Sequence, residues 1–380
     1  MIRRRFAAFA VAGLVLSLSL CLSGCSVGLK DAYSLKERIP SIKTSFAAEE
    51  EAAKGFASDL CVISDEGSFN PEDVTSQAGA LFDLTDREVL YSKDAFEKLY
   101  PASITKVMTA LIAIKYGNLE DQVTVTEDAV ITETGATLCG IQPGDTLTLE
   151  QLLYGLMLPS GNDAGAAIAI HMAGSIDAFA DMMNEEAKRL GATDTHFMNP
   201  HGLHDEDHYT TAYDLYLIFN EALKYPEFRT VTGSTAYTAN YTNGAGQSVS
   251  KTWRGGNWYL TGEQETPDGL TVFSGKTGTT NSSKDTWFCG YTRYYTTAIW
   301  VGYDTPRAMP GIYGKTYAGK IWKQVMDQIH EGKEPLDWEQ PATVEMTTDS
   351  KSGITDLFSA TLHERAEQSL HDKEQRKLEE

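Results

Sequence analysis

Three short stretches hold the side chains that a serine acyl-transfer site needs when it has no histidine base. Ser103-Ile104-Thr105-Lys106 puts a serine one helical turn ahead of a lysine. Ser160-Gly161-Asn162 adds a second hydroxyl beside an amide, and Lys276-Thr277-Gly278 adds a cation on a glycine-flanked segment. At a helix start, Ser103 would sit where free backbone N–H groups favour negative charge. Residues three apart share a helix face, so Lys106 can reach the serine. If that helix is buried, lost hydration lowers the lysine pKa, and the neutral amine can accept the serine proton.

Each stretch alone has a plainer explanation. An isolated S-x-x-K is usually a capping serine with a surface lysine, and Ser248-Val249-Ser250-Lys251 fits that pattern too. Ser68-Phe69-Asn70 likewise fits S-x-N. Ser160-Gly161-Asn162 could be a turn whose Asn162 caps the next helix, and the lysine stretch could be a Gly/Thr hairpin turn. Order, context and completeness separate the first set. Val107, Met108, Leu111 and Ile112 place Lys106 in an apolar helix. Ser160 could pass a proton to a leaving amine, and Asn162 could hold a substrate carbonyl. Thr277 and Thr279 offer hydroxyls for a terminal carboxylate, and Gly278 lets another backbone approach. The N–H groups of Ser103 and Thr279 would form an oxyanion hole, each worth on the order of 3 kcal/mol.

The elements that must position these residues fall into two blocks. Residues 80–84 and 88–91 read as a β-hairpin. Helices follow from Ser103 to Gly117, over 147–158, over 163–173, from Ser175 to a stop at Gly191, and over 211–224. Strands are expected at 270–273, 285–291 and 296–303, with the lysine stretch just after the first, then a helix over 314–329. A helical block thus interrupts two stretches that must share one sheet. The fold class expected is α/β, an antiparallel sheet packed with helices plus an inserted helical lobe, with a cleft between them.

The chain has 380 residues and a formal net charge of -21, which argues against nucleic acid as a partner. Arg3, Arg4 and Arg5 precede an apolar run over 6–22 that is short for a stable membrane span. Leu22-Ser23-Gly24-Cys25 resembles a bacterial lipobox, which implies lipidation at Cys25. The plainer alternatives are an ordinary cleaved signal and an uncleaved anchor, and all three export the protein. The layout expected is an export segment over 1–25, a flexible tether over 26–76, a catalytic domain over 77–333 and an acidic tail over 334–380. Of five cysteines, Cys61, Cys139 and Cys289 lie beyond the export segment. They read as buried thiols, with a Cys61–Cys139 or Cys139–Cys289 bridge left open. His196, His201, His204 and His208 cluster without metal-site spacing, so no metal and no cofactor are expected.

The stretches PASITKVMTA (101–110), LPSGND (158–163) and THFMNPHGL (195–203) resemble serine-type D-alanyl-D-alanine carboxypeptidases, the low-molecular-weight penicillin-binding proteins. GKTGTTNSSKDTWF (275–288) and WVGYD (300–304) are closer to transpeptidase domains of bifunctional penicillin-binding proteins. The resemblance implies a serine β-lactamase/DD-peptidase-like fold and removal of the terminal D-alanine from peptidoglycan stem peptides. It implies Ser103 as nucleophile, Lys106 as base, Ser160 in proton transfer, Asn162 in substrate holding, and Lys276 as electrostatic partner. β-Lactams would be covalent inhibitors, and a lipid on Cys25 would hold the protein at the outer face of the membrane in the cell envelope. The alternatives are a DD-transpeptidase and a non-catalytic β-lactam-binding lipoprotein. A class A β-lactamase would need a glutamate for deacylation, and no E-x-x-x-N segment follows Asn162.

Overall fold

Two apolar runs near the start pair antiparallel as β1 (Ala78–Asp83) and β2 (Glu88–Lys93). A 3-10 turn (Ala102–Thr105) leads without a break into α1 (Lys106–Tyr116). Every residue of α1 from Lys106 to Ala113 is buried, as its nearly all-apolar surface requires. β3 (Gln122–Thr124) and β4 (Thr146–Thr148) are three residues each. α2 (Leu149–Met157) then begins at a Thr148–Gln151 capping box. The helix expected over 147–158 is therefore shorter, because Leu147 belongs to a strand and Thr148 spends its hydroxyl on the Gln151 N–H.

α3 (Asn162–Ala173), α4 (Ile176–Leu190), α5 (Ala212–Ala222) and α6 (Pro226–Gly233) complete the helical block. Ser175 caps α4 through the Ala178 N–H, and Gly191 ends it in the left-handed conformation. β5 (Ala236–Thr242) and β6 (Ser248–Arg254) join β3 and β4 in a four-stranded sheet, order β3-β4-β5-β6. Ser248 and Lys251 thus stand on a strand, away from any helix start.

The chain then returns to the first sheet as β7 (Phe273–Thr279), β8 (Thr286–Thr292) and β9 (Tyr295–Val301), order β2-β1-β9-β8-β7, all antiparallel. Alternate residues of a strand face opposite sides, and both sides of β8 are buried. Trp287, Cys289 and Tyr291 join the core under the helical block, while Phe288 packs with Trp322 of α7 (Gly319–Ile329) on the other side. The helical block, the sheet and α7 form three layers.

The computed structural model describes residues 78–83, 88–267, 273–280, 283–302, 308–334 and 336, all within the unit Lys54–Glu380. The expected export segment with Cys25, the tether with Cys61, the hairpin turn and nearly all of the acidic tail lie outside the described residues. Among the described residues no helix is long and apolar enough to cross a membrane.

Candidate active site

The backbone entering Ser103 is held from two sides. Trp287 Nε1 of β8 donates to the Tyr100 carbonyl at 2.8 Å. Gly278 of β7 lies so close that a Cβ there would stand 3.0 Å from the Pro101 oxygen. Opposite, Gly202 has φ +85°, and a Cβ on it would fall 1.8 Å from the Ala102 oxygen. Ala102 itself sits at φ +49°, so two tight contacts fix a strained turn whose next residue is Ser103.

Lys106 follows one turn later and is fully buried. Its Nζ lies 3.1 Å from Ser103 Oγ, 2.7 Å from Asn162 Oδ1 and 2.5 Å from the His201 carbonyl. The last two partners can only accept. A neutral amine therefore spends both hydrogens on them and aims its lone pair at the Ser103 hydroxyl. Burial drives the Lys106 pKa well below its ordinary value, the nearby Lys276 charge lowers it further, and Asp163 opposes.

Ser160 stands at φ +63°, another strained position, just before α3. Lys276 Nζ donates to Ser160 Oγ at 3.1 Å and to the Thr277 carbonyl at 2.8 Å. It is 5% exposed, and burial lowers its pKa to about 8. The lysine stretch was expected just after a strand; it lies within β7 instead. The alternation of small and hydroxyl residues is compatible with a strand, but glycines at 275 and 278 hide the pattern from a propensity reading. β7 pairs with β8 on one side only, which leaves an edge that a peptide can join. Thr277 and Thr279 face the cleft along that edge, and Thr279 Oγ1 accepts from the Gly314 N–H at 3.1 Å.

Two hollows meet at Ser103. The larger is lined by Ser160, Lys276, Thr277 and Thr279, the smaller by Asn162, His201, His204 and Thr279. All the expected site residues of the three stretches thus converge on one cleft, with Gly278 packed behind the nucleophile.

Asp163 was not singled out from the sequence. Its carboxylate is buried and accepts from the backbone N–H groups of Cys139, Gly140, Ile141 and Ala164 at 2.7–3.2 Å. Trp253 Nε1 and Lys251 Nζ donate to the Cys139 and Gly140 carbonyls from the other side. The segment so clamped leads from Thr137, whose oxygen accepts from the Asn162 N–H at 2.8 Å. The sequence signal was a lone acid opening an otherwise small, apolar helix. Lys251, assigned no role, is thereby a tether for this wall.

The histidines have separate structural tasks. His208 accepts from the Met198 N–H at Nδ1 and so donates from Nε2 to Thr105 Oγ1. Burial pushes both His201 and His208 down to about 3, keeping them neutral. Cys139 and Cys289 are buried and free, so the Cys139–Cys289 bridge left open above does not form.

Comparison with known proteins places these features in a family. The D-alanyl-D-alanine carboxypeptidase model of peptidase family S11 matches residues 65–301. The D-alanyl-D-alanine carboxypeptidase DacF of Bacillus subtilis is 37% identical over 164 residues, 42% of this chain and 42% of DacF. DacB2 of Mycobacterium tuberculosis is 35% identical over 222 residues, 58% of this chain and 72% of DacB2. The crystal structure of the Streptomyces K15 DD-transpeptidase aligns with 67% of this chain and 98% of its own, at 28% identity and a TM-score of 0.56. The match spans well under two thirds of DacF, yet it takes in most of DacB2 and nearly all of the K15 fold. With its serine and lysine stretches gathered in one cleft and the family model covering more than half its length, the chain belongs to the D-alanyl-D-alanine carboxypeptidase family.

Proposed function

We infer that the chain is a serine DD-carboxypeptidase that releases the terminal D-alanine of peptidoglycan stem peptides. The observation that carries this reading is the dry Lys106 amine, 3.1 Å from Ser103 Oγ with acceptors for both of its hydrogens. Lys106 takes the Ser103 proton as Oγ attacks the D-alanyl carbonyl. Backbone N–H groups of Ser103 and Thr279 stabilise the oxyanion, and Asn162 holds the donor peptide. Lys276 keeps Ser160 oriented to pass a proton to the departing amine, and its charge with the Thr277 and Thr279 hydroxyls holds the terminal carboxylate. Water then cleaves the ester. Among the described residues no carboxylate lines either hollow, so the glutamate that activates water in a class A β-lactamase has no counterpart there.

The catalytic domain in this reading spans 77–333. It is exported, joined through the tether over 26–76 to a lipid on Cys25, and followed by the acidic tail over 334–380. The small residues ahead of Cys25 and the preceding arginines support that part. A second reading, DD-transpeptidation through the same acyl-enzyme, draws on the likeness to the K15 DD-transpeptidase. Chromatography of products from a pentapeptide with an added amine acceptor separates the two. Free D-alanine with tetrapeptide as the main products is expected; cross-linked peptide as the main product would overturn the carboxypeptidase reading.

A further inference from the structure

Under the proposed reaction, on which this inference rests, Asn162 holds the donor peptide, and Asn162 lines the smaller of the two hollows at Ser103. That hollow is therefore the donor half. It holds about 390 Å³ of empty space, counting its open mouth, which is room for a side chain beyond the attacked D-alanine. The residue before that D-alanine is the diamino acid of the stem peptide, so its side chain passes through this half.

Few groups in this half can receive that side chain. Among the described residues no carboxylate, lysine or arginine lines it. His201 is buried and held neutral, and its Nδ1 accepts from the Leu203 N–H at 3.3 Å. Thr280 Oγ1 is spent on Asp285, donating to Oδ2 at 3.1 Å and accepting from the backbone N–H at 2.9 Å. His204 is exposed, and its ring makes no hydrogen bond or ion pair among the described residues. Asp285, whose carboxyl feels the His204 charge, is committed to Thr280 and Trp300, and Asp205 Oδ1 accepts from the Asp207 N–H. The His204 ring is nonetheless held in place. It meets the Tyr100 ring edge-on, centroids 4.7 Å apart at 79°, and Tyr100 is the residue whose carbonyl Trp287 holds ahead of Ser103. Asn199 Nδ2 braces the preceding residue through the Leu203 carbonyl at 2.9 Å. A placed imidazole with unused nitrogens, in a half that offers no acid for an ammonium, favours a side chain that ends in an acceptor.

We propose that the donor half selects stem peptides by their third residue, preferring a diamino acid whose side chain ends in a free carboxylate, and that His204 is the residue that reads it. A ring N–H of His204 donates to the carboxylate while Asn162 holds the peptide backbone. A side chain that ends in an ammonium alone gives His204 no acceptor and finds no carboxylate lining the hollow. His204 thus acts on the choice of substrate and takes no part in moving the proton between Ser103 and Lys106.

The test uses the purified chain and three pentapeptides that differ only at the third residue: meso-diaminopimelate, its side-chain carboxamide, and L-lysine. D-Alanine release gives kcat/KM for each, and acylation by a fluorescent penicillin reports whether each variant has kept its site. Wild type is expected to favour diaminopimelate over lysine by about tenfold or more, with the carboxamide between them. His204→Ala should lower the diaminopimelate-to-lysine ratio by about tenfold, and His204→Gln, which keeps a donor N–H, should lower it less. Equal rates on the diaminopimelate and lysine peptides in wild type would overturn the inference alone, as would an unchanged ratio in His204→Ala. Wild type that releases D-alanine from none of the three would overturn the carboxypeptidase reading as well.

Discussion

Lys106 and Lys276 are both cut off from water, and the charge of Lys276 adds to the cost of charging Lys106. Burial and the Lys276 charge thus both favour the neutral form of Lys106, which is what a base beside an electrostatic partner requires. The pH dependence follows from the two directions. Lys106, with its pKa depressed by burial, gains a proton as pH falls through that lowered value, so the base is lost on the acid side. Lys276, at about 8, loses its charge as pH rises through that value, so carboxylate binding is lost on the alkaline side. A bell-shaped kcat/KM profile is expected, its alkaline limb near 8. In Lys276→Arg the guanidinium stays charged, and that limb should move up by about two pH units or more. An unchanged alkaline limb in the variant would refute the assignment. At this scale spacing and context in the sequence already pointed to Ser103, Lys106, Ser160 and Lys276. Asp163 was not legible, because its role comes from backbone N–H groups that a distant segment brings to it.

The elements show why some assignments could be read and others not. α4 runs from the Ser175 cap to Gly191 because both ends are fixed by local hydrogen bonds, and local bonds leave a sequence signature. β3 and β4 are too short for a period to show, and β5 and β6 expose alternate polar residues with few apolar partners. The second sheet was missed for that reason. Two left-handed glycines offer a contrast between stability and function. Gly202→Ala forces a Cβ into the Ala102 carbonyl, so the turn bearing Ser103 must shift and penicillin acylation should slow by about tenfold or more. Gly191→Ala meets nothing closer than Leu217 Cδ1 at 3.9 Å; it should cost about 1 kcal/mol of stability and leave acylation unchanged. Second-order acylation rates beside urea melts measure both. Equal acylation rates in the two variants would remove Gly202 from the support of the nucleophile.

For the whole molecule, interruption of one sheet by a helical block was readable, because strands at both ends of the domain needed partners. The result is a cleft with β7 as its open edge and α1 as its floor, and the export signals put that cleft outside the membrane in the proposed reading. Metabolic labelling with a radioactive fatty acid should mark the wild-type chain and leave Cys25→Ala unmarked; label retained in the variant would exclude Cys25 as the anchor. The central claim is that distant segments converge to make Ser103 the nucleophile of a lysine base. Incubation with penicillin followed by intact-mass measurement and peptide mapping tests it most directly. The account predicts a single stable penicilloyl adduct on Ser103 that is lost in both Ser103→Ala and Lys106→Ala, whereas an adduct on another serine, or none, would contradict it.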